Sequence, residues 1–255
     1  MKNILNFVII LVFISFLSCN KDYSPLGTLQ SEFSSADDSN IPLSIRSKYK
    51  FDAALLAIDH MYRNKLPDTA SVYIPEYLIQ SFYSGLIRIY NCRTIPFTET
   101  VTKTRPIHTR ADQFLLYLSV GIDTSYDWTK RWVDGFKYTG NDTIDSLLVK
   151  YNLEPQTTAV SYRFVTIYSE TPINILYLIT LFEEIPGVTY AGPRALIGDG
   201  NYITARMESS YIKFRFYMGW GDCPSGCIHG HSWEYTVSYG GEVRFISSYG
   251  DELDI

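Results

Sequence analysis

Three things are scarce in this chain of 255 residues: positive charge, uninterrupted apolar sequence and cysteine. Lys and Arg total 22 against 27 Asp and Glu, a net charge of −5, so no electrostatic footprint for nucleic acid exists and no such partner is expected. The apolar run from Ile4 to Leu17 is shorter than the roughly 20 residues a membrane-spanning helix needs. Only four cysteines occur, and setting Cys19 aside leaves Cys92, Cys223 and Cys227. No nucleophile constellation emerges, so catalysis is not the expected role and no catalytic residue is assigned. Gly219, Gly221 and Gly226 do not cradle a phosphate, because no helix start follows them.

The start of the chain carries an address. Lys2 and Asn3 precede the apolar run, and Ser18 and Cys19 follow it, which is the layout of a secretory signal over 1–18. Phe16-Leu17-Ser18-Cys19 resembles the lipobox of bacterial lipoproteins, with Phe16 where Leu is usual. That resemblance implies a mature N-terminus at Cys19 carrying acyl chains, and more than one chain gives stable membrane attachment. Residues 19–45 read as a solvated tether, Asn20 to Asn40 being rich in Ser and Asp with little apolar content. Asp22 close behind the anchor resembles the surface-export tags of Bacteroidetes-type lipoproteins. The expected location is the cell envelope, on the outer membrane.

Past the tether, apolar content of 46% supports a sizeable core, and 21 Tyr with 14 Phe favour strands and an aromatic surface. The expected class is α+β, in two blocks: 46–110, a helical hairpin with an irregular connection, and 111–255, an α/β unit with a C-terminal antiparallel sheet. Ser47 is a candidate cap for a helix to Arg63 whose apolar stripe is Phe51, Leu55, Ile58 and Tyr62. Pro75 opens a second helix carrying Leu78, Ile79, Phe82, Leu86, Ile89 and Tyr90. Thr94 to Arg110 has no sustained period, and its Lys103, Arg105, His108 and Arg110 read as a solvated loop face.

Strand and helix then alternate. Phe114–Val120 reads as a strand buried on both faces, Asp142 or Thr143 as the cap of a helix, and Val160–Thr166 as the next strand. Thr171-Pro172 opens a helix over Ile173–Ile185, and Val188–Tyr190 returns as a strand. The last fifth alternates with a period of two in four segments around 202–207, 211–218, 233–237 and 243–245, a meander turned at Gly240-Gly241.

The loop Trp220–Gly230 is the one unusual connection. Cys223 and Cys227 close a small ring through Pro224, Ser225 and Gly226, and an exported chain would join them as a disulfide, leaving Cys92 as a buried thiol. Thiolate and imidazole also suit Zn or Cu, so Cys223, Cys227, His229 and His231 form an alternative metal set, although C-x3-C-x-H-x-H is not a usual zinc spacing. Asp199, Asn201 and Asp222 could hold Ca²⁺ through oxygens, but a plain turn explains Gly198–Asn201. No cofactor is expected. Tyr211, Tyr217 and Tyr239 are candidates for exposure, on a surface that would take a protein or glycan partner.

Gly219-Trp220-Gly221-Asp222-Cys223-Pro224-Ser225-Gly226-Cys227, with His231 and Trp233 after it and Ile185–Pro193 and Ile197–Gly200 before it, resembles a family of secreted or lipid-anchored Bacteroidetes-type proteins. The resemblance implies an envelope setting and names no reaction. Phe114 to Tyr190, closing on Pro186-Gly187-Val188-x-Tyr190, is similar to the ferredoxin-like propeptide inhibitors of subtilisin-type proteases, which have one strand more than the pattern here; it implies an alternative role as an inhibitor. Asp68-Thr69-Ala70 resembles the O-glycosylation motif of exported Bacteroidetes-type proteins and makes Thr69 the candidate site; Asp142-Thr143-Ile144 and Asp145-Ser146-Leu147 match too but read as helix caps.

Overall fold

The computed structural model of the protein describes residues 34–157, 163–194 and 200–253. The signal segment, Cys19, most of the tether, the first residues of the strand expected at Val160, and Asp199 lie outside them. Among the described residues no helix is long and apolar enough to cross a membrane. The architecture is α+β, with two four-stranded antiparallel sheets.

Helix α1 (Leu43–Arg63) begins directly after Pro42, earlier than the Ser47 cap expected. Its first turns face solvent, so an apolar period becomes visible only from Tyr49 onward. The stripe it buries is Tyr49, Asp52, Ala53, Ala54, Leu56, Ala57, Ile58 and Met61; of the expected stripe Ile58 is buried, Phe51 and Leu55 are half-buried and Tyr62 is exposed. Ala53, Ala54 and Ala57 on this face let a second helix approach closely, with Tyr49, Leu56, Ile58 and Met61 packed around them. Helix α2 (Glu76–Asn91) follows Pro75 as expected and buries Leu78, Phe82, Leu86 and Ile89 against α1. The connection after it is less irregular than its sequence, with a π-helical turn at Thr100–Thr104 that buries Val101 and Thr102.

The strand expected at Phe114–Val120 is half helix: α3 (Ala111–Leu116) precedes β1 (Tyr117–Ile122). A short continuous apolar run does not tell helix from strand by its period. Next come α4 (Asp127–Val133), α5 (Asp142–Lys150), β2 (Leu153–Thr157), β3 (Phe164–Ser169), α6 (Ile175–Glu183) and β4 (Val188–Pro193). The cap of α5 is Asn141, whose Oδ1 accepts from the amides of Thr143 and Ile144 at 3.1 and 3.2 Å. Strand β2 is the strand missing from the sequence pattern. Pro155 obscures it, and the residue is tolerated because β2 lies at the sheet edge. The order β2-β3-β1-β4, every neighbour antiparallel, with helices between β1 and β2 and between β3 and β4, is the ferredoxin-like split βαβ arrangement. Leu118, Val120, Val165 and Ile167 face Ile144, Leu148, Leu178 and Phe182 in its core. The other face carries Tyr117 beside Tyr168, and Phe164 beside Tyr190.

Strands β5 (Tyr202–Met207), β6 (Tyr211–Trp220), β7 (His229–Ser238) and β8 (Val243–Gly250) form the C-terminal meander, in sequence order. The β7–β8 turn uses a positive φ of 91° at Gly241, which glycine alone adopts without strain. The sheet shares its core mainly with the helical hairpin, with only Phe114, Leu115 and Leu176 reaching it from the segment between: Ile203, Ile212, Phe214, Phe216, Trp233 and Tyr235 pack on Ala53, Leu56, Phe82 and Leu86.

Asn174 joins the two halves. It is fully buried; its Oδ1 accepts from Tyr62 Oη and the Tyr177 amide, and its Nδ2 donates to Ser71 O at 2.8 Å and Thr69 O at 3.3 Å. It therefore caps α6, in place of the Thr171 start expected, while holding the interhelical loop. Asn174→Ala leaves two half-buried backbone carbonyls without their donor and removes the α6 cap, and a loss of about 1–3 kcal/mol in urea denaturation is the expected result. An unchanged midpoint would show that this junction contributes nothing.

Candidate functional site

Period-two alternation sends one side of β5–β8 to the helices and the other to solvent. Cross-strand pairing builds the outer face in rows. Tyr202, Tyr217, Ser232 and Tyr249 lie opposite one another across the four strands, and Thr204, Arg215, Glu234 and Ser247 form the next row. The rings of Tyr202 and Tyr217 stack with centroids 4.5 Å apart and planes within 22°. Tyr217 lies across Gly230, where any side chain would collide with its ring. The Arg215 guanidinium stands 6.0, 5.8 and 5.7 Å from the ring centroids of Tyr202, Tyr217 and Tyr249, and its Nε donates to Ser232 Oγ at 3.0 Å. Three tyrosines thus frame one cation on an open sheet face.

Glu234, opposite Arg215 in register, turns elsewhere. Its Oε2 accepts from Lys213 Nζ and Ser247 Oγ, both at 2.9 Å, and its Oε1 from Tyr249 Oη at 3.4 Å. Burial alone would raise its pKa, but Lys213, Ser247 and Tyr249 outweigh that and hold the carboxyl below the ordinary glutamate value. Among the described residues, no carboxylate lies within ion-pair distance of Arg215.

The sequence-predicted loop closes one end of this face. Cys223 and Cys227 are joined as a disulfide, and Cys92 is buried and stands outside that bond. Cys227 Sγ fills the space over Gly219, next to the Tyr217 ring, so the bridge abuts the tyrosine frame. A paired Cys223→Ser, Cys227→Ser variant is expected to lose about 2 kcal/mol at most, since so short a ring removes little unfolded-chain entropy. It is also expected to alter the near-ultraviolet circular dichroism of the tyrosines; an unchanged signal would separate the bridge from the face.

His229 and His231 share one side of β7, as their spacing requires, but it is the side that continues the core, beyond the helices. His229 stacks on Trp220, with centroids 5.7 Å apart, and its Nδ1 is 3.4 Å from Asp251 Oδ2. Both nitrogens of His231 are taken, Nδ1 by Asp251 O at 2.7 Å and Nε2 by Ser248 Oγ at 2.6 Å. With the sulfurs bonded to each other, the Cys223, Cys227, His229, His231 set has no thiolate to offer Zn or Cu. Among the described residues no group of three or more His, Cys, Asp or Glu is placed to hold a metal ion. Thr69 sits half-buried in the short turn Pro67–Ala70 between α1 and α2, its hydroxyl donating to Leu66 O at 2.8 Å. Of the tyrosines singled out for exposure, Tyr211 is exposed and Tyr217 belongs to the frame. Tyr239 is half-buried and donates to Glu208 O at 2.6 Å.

One constellation escaped the sequence reading. Asp52, 1% exposed, accepts at Oδ2 from His108 Nδ1 at 2.7 Å and at Oδ1 from the Thr109 amide at 2.8 Å. Thr109 Oγ1 in turn accepts from the Ile203 amide at 3.0 Å, beside Tyr202. Burial pushes the Asp52 carboxyl above its ordinary value, and His108 and Thr109 offset only part of that. The ring of Tyr49, whose phenol burial also pushes up, lies 4.6 Å from that of His108. The pair holds the connection and the first residues of β5 against α1. Asp52 at three residues from Tyr49 on an otherwise apolar stripe was the available signal, visible once the true face of α1 is known.

Comparison with protein-family models, with curated proteins and with solved structures gives no match to this chain. Fold and site define it as an α+β protein in which a ferredoxin-like unit is inserted, in sequence, between a helical hairpin and the sheet that hairpin backs.

Proposed function

We propose that this is a non-catalytic binding module of the cell envelope, held to the outer membrane by lipid on Cys19 and offering the outer face of β5–β8 to its ligand. The frame of Tyr202, Tyr217 and Tyr249 around Arg215 is the observation that carries the reading. Rings fixed on strands and backed by a packed core present their faces without losing conformational freedom on binding. The lipobox-like residues and the tether supply the address. Binding of the detergent-solubilised full chain to an array of surface polysaccharides and peptides tests the role, with loss expected in Tyr202→Ala and Tyr217→Ala. Retention unaffected by both changes would reject this face.

A second reading is favoured by the completed strand order of the ferredoxin-like unit and by Phe164 and Tyr190, each nearly half exposed on its other face. It is inhibition of a subtilisin-like protease, though shared topology by itself licenses no function. Equimolar mixing with subtilisin would slow peptide hydrolysis; an unchanged rate ends this reading.

A further inference from the structure

Arg215 narrows the ligand. Its terminal nitrogens have no partner among the described residues, and only Nε is engaged, by Ser232. An arginine opposite a glutamate in an antiparallel ladder ordinarily pairs with it across about 5 Å. Here Lys213 neutralises Glu234 instead, so the guanidinium keeps the planar fork that matches a carboxylate. Beside its three tyrosine neighbours it is half-buried and not neutralised, so an ion pair formed there is weakened by water less than one on a fully exposed side chain.

The surroundings fit a sugar better than a peptide. The outer positions of both rows hold Tyr, Ser, Thr, Arg and Glu and no aliphatic side chain, so there is no pocket for an apolar peptide residue. A peptide recruited by a sheet pairs with the backbone of an edge strand, whereas Arg215 and Tyr217 are on inner strand β6. Aromatic rings suit the C–H face of a pyranose, and the Ser247 and Tyr249 hydroxyls, which donate to Glu234, keep acceptor lone pairs for its rim. We propose that Arg215 receives the carboxylate of a sugar, and that the face binds uronate-containing glycans. This rests on the binding role of the sheet face proposed above.

Calorimetric titration of the full chain in detergent, with oligomers of galacturonate, mannuronate and hyaluronan, their methyl esters, and poly-glutamate, tests it. At least one uronate oligomer is expected to bind at least tenfold more tightly than its ester, with affinity falling as salt rises. Arg215→Ala is expected to abolish that preference and Arg215→Lys, which keeps charge and fold but not the fork, to retain only part of it. Equal binding of acid and ester, lost in Tyr202→Ala, overturns the carboxylate receptor and leaves the binding face standing. Binding of poly-glutamate alone overturns the sugar. Binding of none of these probes overturns the inference, while capture of a neutral polysaccharide on the array would still uphold the face.

Discussion

His108→Ala is expected to lower the stability of the protein by about 3–5 kcal/mol, because it leaves a buried carboxylate without its partner. Asp52 is 1% exposed and would keep only the Thr109 amide. The effect has a direction in pH. Burial raises the folded-state pKa of Asp52, so its share of stability is fully present below the ordinary aspartate value of 3.8 and is lost as pH rises through the folded value. Removing His108 takes away the group that partly offsets burial. The deficit of the variant relative to the parent is therefore smallest in acid and grows toward neutral pH. Urea midpoints from pH 4 to pH 8 check this, and a deficit that stays constant would reduce the pair to packing. Asp52→Asn, which keeps an acceptor for Thr109, is expected to cost less. Because Thr109 also receives the Ile203 amide, His108→Ala is expected to loosen Tyr202.

The second large effect is steric. Phe214, fully buried on β6, presses its ring into the space above Gly85 of α2, where a Cβ would lie 2.5 Å from its Cζ. Phe214→Ala is expected to cost about 3–5 kcal/mol through lost burial and the cavity left behind. Gly85→Leu alone overpacks the same space and costs about 1–3 kcal/mol, with the gain in helix propensity offsetting a little of that. Combined, the two substitutions exchange volume across one contact, and the double variant is expected to be clearly more stable than the sum of the single losses. Additive losses in thermal denaturation would mean that Gly85 is glycine for some other reason. This contact is one of those by which α2 packs on the inner face of the sheet.

Much of this architecture was legible in the residues. Alternation from Tyr202 to Phe245 located the meander, Pro75 located α2, and the close spacing of Cys223 and Cys227 anticipated their bond. What the pattern hid follows from competing physics. Pro155 conceals an edge strand, because only an edge tolerates it. The contact face of α1 mixes Ala53, Ala54 and Ala57 with Tyr49, Leu56, Ile58 and Met61, so a stripe read from Phe51 and Leu55 overlaps it only in part. Phe114 and Leu115 belong to a helix end that bridges two cores, so their apolar run mimics a strand. The site was half legible: Tyr217 could be picked out by alternation, but the ring of tyrosines around Arg215 joins β5, β6 and β8, and only register brings them together. The Asp52–His108 pair lies 56 residues apart in sequence, so Asp52 on the buried stripe of α1 could be noticed but its partner could not.

The central claim is that the outer face of β5–β8 is the working surface. The most direct measurement is nuclear magnetic resonance mapping of the isotopically labelled full chain in detergent, titrated with the polysaccharide fragment that binds most tightly. Shifts are expected at Tyr202, Arg215, Tyr217, Ser232 and Tyr249, fading across the Cys223–Cys227 loop. Shifts centred instead on Tyr117, Phe164, Tyr168 and Tyr190 of the ferredoxin-like unit, with β5–β8 silent, would contradict it.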